Sequence, residues 1–202
     1  DNMTKPHVLQ VGPYPEWDQG PLDAAFMMHR WWEADDKDAF LAKVGPEVRA
    51  IATRGDLGAS EAMIAECPML EMISVFGVGY DGVHLPSCRA RGIRVTNTPD
   101  VLTDDVADTA VAMLLALVRR VGDAEAWVRS GDWAAKGVFP LTRKVSGSRA
   151  GILGLGRIGA AIARRLQGFG MEIAYSARGP KPGAEGWDFV PDAVALAERS
   201  DH

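Results

Sequence analysis

The chain has 202 residues, which is enough for one large domain or two small ones. Hydrophobic residues make up 47% of it and charged residues 24%, the ordinary composition of a globular protein. Its net charge is −5 and it has no basic block, so we expect no binding to nucleic acid, whose phosphates are held by clustered Lys and Arg. The uncharged run at residues 109–118 is too short to cross a bilayer, so we expect no membrane segment.

The first residues lead directly into an apolar strand pattern without the features of a signal peptide, and we expect Met3 to be the natural start. The two cysteines, Cys67 and Cys88, lack the spacing of a CxxC motif or of a metal site. We therefore expect reduced, packed thiols, no bound metal and a cytoplasmic location.

The first hundred residues alternate short apolar runs with helical patterns, which is typical of β-α-β units in a parallel sheet. The predicted strands are Val8–Val11, Val48–Thr53, Met72–Phe76 and Ile93–Thr96. The predicted helices are Leu22–Glu33, Ser60–Glu66 and Pro86–Arg91, with Ser60 as a helix N-cap. The proline-rich residues 12–15 predict an irregular loop after the first strand.

A domain boundary is predicted at Thr98-Pro99-Asp100, because the residue before a proline disfavours helix and a new helix start follows. The two domains are then residues 1–99 and 100–202. From Asp105 to Val121, apolar residues recur on one broad face, which predicts a long helix. The elements predicted after it are a loop at 134–148, strand 150–154, helix 157–168, strand 171–175, a short strand near Phe189 and helix Ala193–Arg199.

Together these elements predict an α/β fold with two Rossmann-like or flavodoxin-like domains, each built on a parallel sheet. In the second domain, residues 200–202 would lead into a further buried strand. We therefore expect the second domain to be incomplete in this chain, with about half of a doubly wound fold present.

The strongest functional signal is an apolar strand that runs into a G-x-G-x-x-G turn and then into a helical pattern. In such a unit Gly154 allows a tight turn, Gly156 leaves room for a pyrophosphate against the backbone, and Gly159 lets helix and strand pack closely. The predicted dinucleotide-binding residues of this turn are Gly154, Gly156, Arg157, Ile158 and Gly159.

The residues about 20 positions after the glycines indicate which dinucleotide is bound. NAD-binding units place an acidic residue there, which accepts hydrogen bonds from the ribose 2′-hydroxyl. This chain has instead Ser176, Arg178 and Lys181, which can donate a hydrogen bond to a 2′-phosphate and supply positive charge. We predict NADP(H) as the preferred cofactor and NAD(H) as a second one. The alternative is that Arg178 and Lys181 belong to a solvated basic loop.

Three segments resemble the D-isomer-specific 2-hydroxyacid dehydrogenases, and most closely their glyoxylate/hydroxypyruvate reductase branch. They are the strand and loop Ile73–Asp81, the linker Thr96–Asp108 and the glycine turn Gly154–Gly159. The resemblance is clear over residues 45–202 and loose over residues 1–45. It implies an oxidoreductase with a cleft between two domains, which reduces small 2-keto acids such as glyoxylate and hydroxypyruvate to 2-hydroxy acids by hydride transfer from NADPH.

The resemblance also implies roles for three residues outside the glycine turn. The backbone N–H groups of Val78 and Gly79 would hold the substrate carboxylate, and the glycines that flank Val78 free the backbone to form such an anion-binding nest. Thr103 would lie near the nicotinamide or the pyrophosphate. The alternatives are a plain turn at Val78 and Gly79, and a simple helix N-cap at Thr103.

In the family a catalytic arginine, glutamate and histidine lie downstream of the part that this chain resembles, so we expect no catalytic residue within it. We expect a truncated chain that is inactive on its own. Arg54 and His84 are interpreted as surface residues. The loop at residues 138–141 resembles a segment that reaches across a homodimer, so we expect a homodimer. The alternative function is that of a non-catalytic dinucleotide-binding relative, similar to a corepressor.

Overall fold

The computed structural model describes residues 5–202, so the expected start at Met3 lies outside the described residues. The chain forms two compact units, of which the first ends at Pro99 and the second begins at Asp100. Each unit contains one parallel β-sheet with helices between its strands, which confirms the predicted α/β fold class. Within the described residues, no helix is long and apolar enough to cross a membrane.

Five parallel strands form the sheet of the first unit: β1 (His7–Gln10), β2 (Met27–Arg30), β3 (Val48–Arg54), β4 (Met72–Phe76) and β5 (Arg94–Thr96). They are arranged in the order β2-β1-β3-β4-β5. The helices of this unit are α1 (Glu16–Ala25), α2 (Lys37–Val44), α3 (Glu61–Ala65) and α4 (Leu85–Arg91). Short 3-10 turns at Trp31–Glu33 and Gly45–Glu47 complete the connections.

The core of the first unit lies on its central strands. Leu9, Ile51 and Ile73, from β1, β3 and β4 respectively, are fully buried. Ile64 of α3 and Cys88 of α4 belong to the same hydrophobic cluster. Because the strands are parallel, the loops that follow β3, β4 and β5 all lie at one edge of the sheet, where ligands bind in open α/β folds.

The prediction of a helix at Leu22–Glu33 is wrong. Helix α1 ends at Ala25, and the next residues form the edge strand β2, in which Met27 lies beside His7. This pairing joins residues that are distant in sequence, so it overrides a helical pattern that is visible only locally. The loop predicted at residues 12–15 lies between β1 and α1 and is irregular except for a bend, as expected.

Two helices of this unit begin with a side-chain N-cap. The predicted cap at Ser60 is confirmed, since its hydroxyl accepts a hydrogen bond from the Met63 N–H at 3.2 Å. At the start of α2, a carboxylate oxygen of Asp36 accepts from the Ala39 N–H at 3.0 Å. Helix α2 was not predicted, although an acidic residue before a short apolar run is a typical helix start.

Three parallel strands form the sheet of the second unit, β6 (Arg149–Leu153), β7 (Glu172–Ser176) and β8 (Asp188–Phe189), in that order. Its helices are α5 (Thr103–Val118), α6 (Val121–Arg129), α7 (Asp132–Lys136), α8 (Arg157–Gln167) and α9 (Ala193–Arg199). Helix α8 lies against α5, and Arg165 of α8 forms ion pairs with Asp104 and Asp108 of α5.

The long helix predicted from Asp105 to Val121 ends earlier, at Val118. Arg120 has a φ of 51°, in the left-handed region, so α6 begins after it as a separate helix. The predicted loop at 134–148 also begins later, because α7 extends to Lys136. Helix periodicity alone did not reveal the break, since apolar residues continue on the same face across it.

The two thiols are free and buried, as predicted. Burial raises the pKa of Cys67 from 9.0 to about 11. Because the folded state keeps this thiol protonated, its contribution to stability is fully present below pH 9 and is lost as the pH rises toward 11. We expect the free energy of unfolding to fall by roughly 2 kcal/mol over that interval through this group.

Urea unfolding at a series of alkaline pH values measures this loss, with Cys67→Ala as the control that lacks the thiol. The variant should be less stable below pH 9, because truncation leaves a cavity, but its stability should fall less steeply as the pH rises. Burial also raises the pKa of Tyr14 to about 12, so this residue adds a loss of stability at alkaline pH that is the same in both proteins. An equal fall in both proteins would contradict the assignment to Cys67.

Candidate functional site

The glycine turn joins the end of β6 to the start of α8. Gly154 has a φ of 95°, which favours glycine, and its N–H donates to the carbonyl of Ser176 on β7 at 2.9 Å. Gly156 is the N-cap of α8, and apart from its chain neighbours no atom of the described residues lies within 4 Å of the point where its Cβ would be. The backbone at Gly156 is therefore open to close approach by a ligand, as a pyrophosphate requires.

Gly159 brings α8 directly against the turn. A Cβ at this position would lie 2.2 Å from the carbonyl oxygen of Gly154 and 3.2 Å from Cγ2 of Ile152. The N-terminus of α8, with its free N–H groups and positive dipole end, therefore lies beside the open backbone. These residues fit a pyrophosphate group.

A cavity of about 500 Å³ opens beside the glycine turn. It is lined by the turn and by the residues that follow β7, namely Leu153, Gly154, Leu155, Gly156, Ser176, Ala177, Arg178 and Lys181. None of these lining residues is acidic. Within the described part of the chain, neither Arg178 nor Lys181 forms a salt bridge. The cavity therefore offers uncompensated positive charge to an anion.

Ser176 lies on this cavity, but it is only 5% exposed and its hydroxyl donates to the Pro191 carbonyl at 3.1 Å. The prediction that this hydroxyl donates to a 2′-phosphate is not supported, because its proton already forms a hydrogen bond within the protein. The Lys181 N–H donates to the Tyr175 hydroxyl at 3.0 Å, which ties the basic loop to β7. Arg178 is exposed, so the charge on the cavity comes from Arg178 and Lys181.

Four residues predicted to bind the cofactor do not line the cavity: Gly159, which packs against the turn, and three others. Arg157, the first residue of α8, pairs with Asp100 at 2.8 Å. Ile158 is half-buried within the same first turn. Thr103 is the first residue of α5, after the N-cap position at Leu102. The alternative interpretation of Thr103 as the N-cap is therefore wrong.

The second candidate site is the loop after β4, in the first unit. Gly77 has a φ of 141°, Val78 is half-buried and Gly79 is exposed. A Cβ on Gly55 would lie 2.7 Å from the Gly79 carbonyl oxygen, so the loops after β3 and β4 are in close backbone contact. Among residues 5–202, no acceptor receives a hydrogen bond from the N–H of Val78 or of Gly79. Both donors are free to meet an anion.

Two residues that hold this loop were given no role in the sequence-based prediction. The side-chain amide of Asn97 donates to the Val78 carbonyl at 2.8 Å, and the Thr98 N–H donates to the Gly77 carbonyl at 2.9 Å. Asn97 and Thr98 follow β5, which is parallel to β4 and adjacent to it. The sequence placed both residues in the linker that resembles the family. It also placed both segments directly after predicted strands, and the ends of parallel strands meet at one edge of the sheet.

Arg54 and His84 are half-buried, and each is held by near neighbours, while their interpretation as surface residues stays a prediction. Nη2 of Arg54 pairs with Asp56 at 2.7 Å, directly after β3. Nδ1 of His84 lies 2.8 Å from the Ser87 hydroxyl at the start of α4. Within the described residues, no group of three or more His, Cys, Asp or Glu side chains is arranged to hold a metal ion.

Comparison with known proteins places the chain in a family. Residues 111–202 match the sequence model of the D-isomer specific 2-hydroxyacid dehydrogenase NAD binding domain. A glyoxylate/hydroxypyruvate reductase A of Arabidopsis thaliana is 42% identical over 96% of this chain and 61% of its own length. A 2-ketogluconate reductase of Gluconobacter oxydans is 37% identical over 98% of this chain and 62% of its own length.

Solved structures give the same result. A 2-hydroxyacid dehydrogenase from Ketogulonicigenium vulgare is 64% identical, with a TM-score of 0.90 over 98% of this chain and 63% of that one. An NADPH-dependent glyoxylate/hydroxypyruvate reductase from Sinorhizobium meliloti, in complex with NADP and malonate, is 40% identical, with a TM-score of 0.83 over 98% of this chain and 61% of that one. The chain thus spans about three fifths of the length of these relatives. The predicted family is confirmed, and the chain belongs to the D-isomer-specific 2-hydroxyacid dehydrogenases, in the branch of the glyoxylate/hydroxypyruvate reductases.

Proposed function

We propose that this chain serves the NADPH-dependent reduction of small 2-keto acids, glyoxylate and hydroxypyruvate above all, to 2-hydroxy acids. The observation that carries the proposal is the cavity in which the open glycine turn and the unpaired charges of Arg178 and Lys181 meet. When bound there, the reduced dinucleotide supplies the hydride. The relatives named glyoxylate/hydroxypyruvate reductase support the substrate class, and they do not favour the alternative of a non-catalytic corepressor.

The residues of this chain have distinct tasks in the proposed function. Gly154, Gly156 and Gly159 shape the pyrophosphate cradle, and Arg157 and Ile158 contribute backbone N–H groups from the first turn of α8. Thr103 lies near the dinucleotide. The guanidinium of Arg178 and the ammonium of Lys181 bind the 2′-phosphate, which an acidic residue would repel. The chain thereby prefers NADPH and accepts NADH more weakly.

The substrate carboxylate binds to the N–H groups of Val78 and Gly79. The arginine, glutamate and histidine implied for catalysis have no assigned counterpart within residues 1–202, so we expect this chain on its own to bind without turnover. The two unpaired, buried thiols support a cytoplasmic location for the protein, where thiols stay reduced.

The test measures binding and turnover separately on the same purified chain. NADPH should bind, as detected by its fluorescence, while NADPH consumption with glyoxylate or hydroxypyruvate should be absent. A failure to bind NADPH would contradict the proposed function. Turnover by the chain alone would contradict only the absence of catalytic residues, and it would identify the substrate directly.

We also propose that the protein forms a homodimer through its exposed apolar surface in the second unit. Leu117 of α5 is 77% exposed and Leu141 is fully exposed. The segment that contains Leu141 lies against α5 and α6, because Arg119 donates to the Thr142 hydroxyl at 2.8 Å and Phe139 contacts the ring of Trp127. Large apolar side chains that are exposed on neighbouring segments of a folded domain are typical of a protein interface.

Leu117→Asp together with Leu141→Asp should convert the dimer to a monomer, because each buries a charge in the interface. Sedimentation equilibrium at micromolar concentration measures the mass. The matched control is Val194→Asp on α9, which changes another exposed apolar residue elsewhere in the second unit. A monomeric unsubstituted protein would contradict the dimer, and a dimeric double variant would contradict this surface.

A further inference from the structure

The two free N–H groups of the loop after β4 belong to consecutive peptide units. The Val78 N–H belongs to the peptide that carries the Gly77 carbonyl, and the Gly79 N–H belongs to the peptide that carries the Val78 carbonyl. Glycines on both sides leave this backbone with unusual rotational freedom. Two N–H groups act together on one carboxylate only if something fixes the direction of both.

The structure fixes both peptides from their carbonyl side. The Gly77 carbonyl accepts the Thr98 N–H at 2.9 Å, and the Val78 carbonyl accepts the side-chain amide of Asn97 at 2.8 Å. In a planar trans peptide the C=O and the N–H point in opposite directions. A hydrogen bond that holds the carbonyl therefore also sets the direction of the N–H on the other side of the same peptide.

Asn97 and Thr98 make unequal contributions to this arrangement. The Thr98 donor is a backbone group, which every residue except proline provides. The Asn97 donor is a side-chain amide, so the orientation of the Gly79 N–H depends on the identity of residue 97. Asn97 is half-buried and uncharged, so it holds the peptide without competing with the N–H groups for the anion.

We propose that Asn97 is a positioning residue, which presets the Val78–Gly79 peptide so that its N–H is directed at the carboxylate of the substrate. The proposal rests on the proposed function of this loop and adds the residue that orients it. A donor set in advance binds an anion more tightly, because the ordering is complete before the ligand arrives. Without the Asn97 amide, the peptide must be ordered at the moment of binding.

The test is a titration of the isotope-labelled chain with oxamate, a carboxylate of the same shape as a small 2-keto acid, followed by nuclear magnetic resonance of the amide groups. In the unsubstituted protein the signals of Val78 and Gly79 should shift together. Asn97→Ala should bind oxamate about tenfold more weakly, through loss of one orienting hydrogen bond. Thr98→Ala, which keeps the backbone donor, is the matched control and should bind normally.

Asn97→Asp distinguishes a positioning role from a general loss of structure. It has the shape of asparagine, but its ionised carboxylate cannot donate to the Val78 carbonyl. Its affinity for oxamate should rise as the pH falls to about 4, where the carboxyl group becomes protonated and can donate again. The unsubstituted protein should show no such rise. If Asn97→Ala does not fold, the oxamate affinity of Asn97→Asp is compared with that of the unsubstituted protein instead.

The outcomes separate the two proposals. If oxamate shifts the amide signal of neither Val78 nor Gly79 in the unsubstituted protein, the proposed carboxylate site is wrong, and so is the proposed role of Asn97. If oxamate binds equally well to the unsubstituted protein and to Asn97→Ala, the positioning role is wrong and the carboxylate site stands. A loss of affinity in Asn97→Ala that Thr98→Ala does not share supports the proposal.

Discussion

Replacing Gly159 by alanine is expected to lower the free energy of unfolding of the second unit by about 2 to 3 kcal/mol and to prevent NADPH from binding. The new Cβ would lie 2.2 Å from the Gly154 carbonyl oxygen. That carbonyl belongs to the tight turn itself, where Gly154 has a φ of 95°, so it cannot move without opening the cradle. Helix α8 must shift away instead, and the pyrophosphate site shifts with it.

Gly122→Ala is the matched control for this substitution. Gly122 is also a helical glycine of the second unit, but beyond its chain neighbours and its own helix backbone no atom of the described residues lies within 4 Å of its Cβ position. Alanine should stabilise the protein there by up to about 1 kcal/mol, because glycine is a poor helix former. Urea unfolding and NADPH titration measure both effects. Normal stability and normal binding in Gly159→Ala would show that close packing of α8 on β6 is not needed.

The glycine turn could be predicted from the sequence because its requirements are local. A positive φ at Gly154 and a close helix contact at Gly159 are imposed by residues within six positions of each other. Each glycine is required because a side chain at its position would clash with the adjacent backbone or strain it. The spacing of the glycines is therefore enough to predict the turn. The fold class was predictable for a similar reason, since buried parallel strands appear as short apolar runs.

The edge strand β2 could not be predicted, because its partner lies far away in sequence. Residues 27–30 have no strong strand pattern of their own, and their hydrogen bonds to β1 decide their structure. The same holds for the polar contacts of the sites. Asn97 reaches a carbonyl 19 residues away, and the hydroxyl of Ser176 reaches one 15 residues away. Such contacts follow from the arrangement of strands and are not encoded in any local motif.

Replacing Arg178 by alanine is expected to weaken NADPH binding by roughly 10- to 100-fold and to leave NADH binding unchanged. Arg178 lies on the cavity beside the glycine turn, is exposed and has no salt-bridge partner within the described residues. A hydrogen bond between guanidinium and phosphate is charge-assisted, and only NADPH carries the 2′-phosphate. Ser176→Ala should have a smaller effect, because the Ser176 hydroxyl already donates to Pro191.

Ala177→Asp tests the same electrostatic argument from the opposite direction. Ala177 lines the cavity, which has no acidic residue, so a carboxylate there should repel the 2′-phosphate and offer an acceptor to the ribose of NADH. The preference for NADPH over NADH should fall or reverse. Arg199→Ala on α9, another exposed arginine, is the control and should change neither affinity.

Fluorescence titration of both nucleotides against each variant, at low and at high salt, gives the preference directly. The affinity of the unsubstituted protein for NADPH should fall more with salt than its affinity for NADH, since the additional interaction is between charges. Equal losses of NADPH and NADH in Arg178→Ala would show that Arg178 binds a group common to the two dinucleotides. In that case the absence of an acidic residue at the end of β7 would no longer indicate NADPH, and the prediction would be wrong.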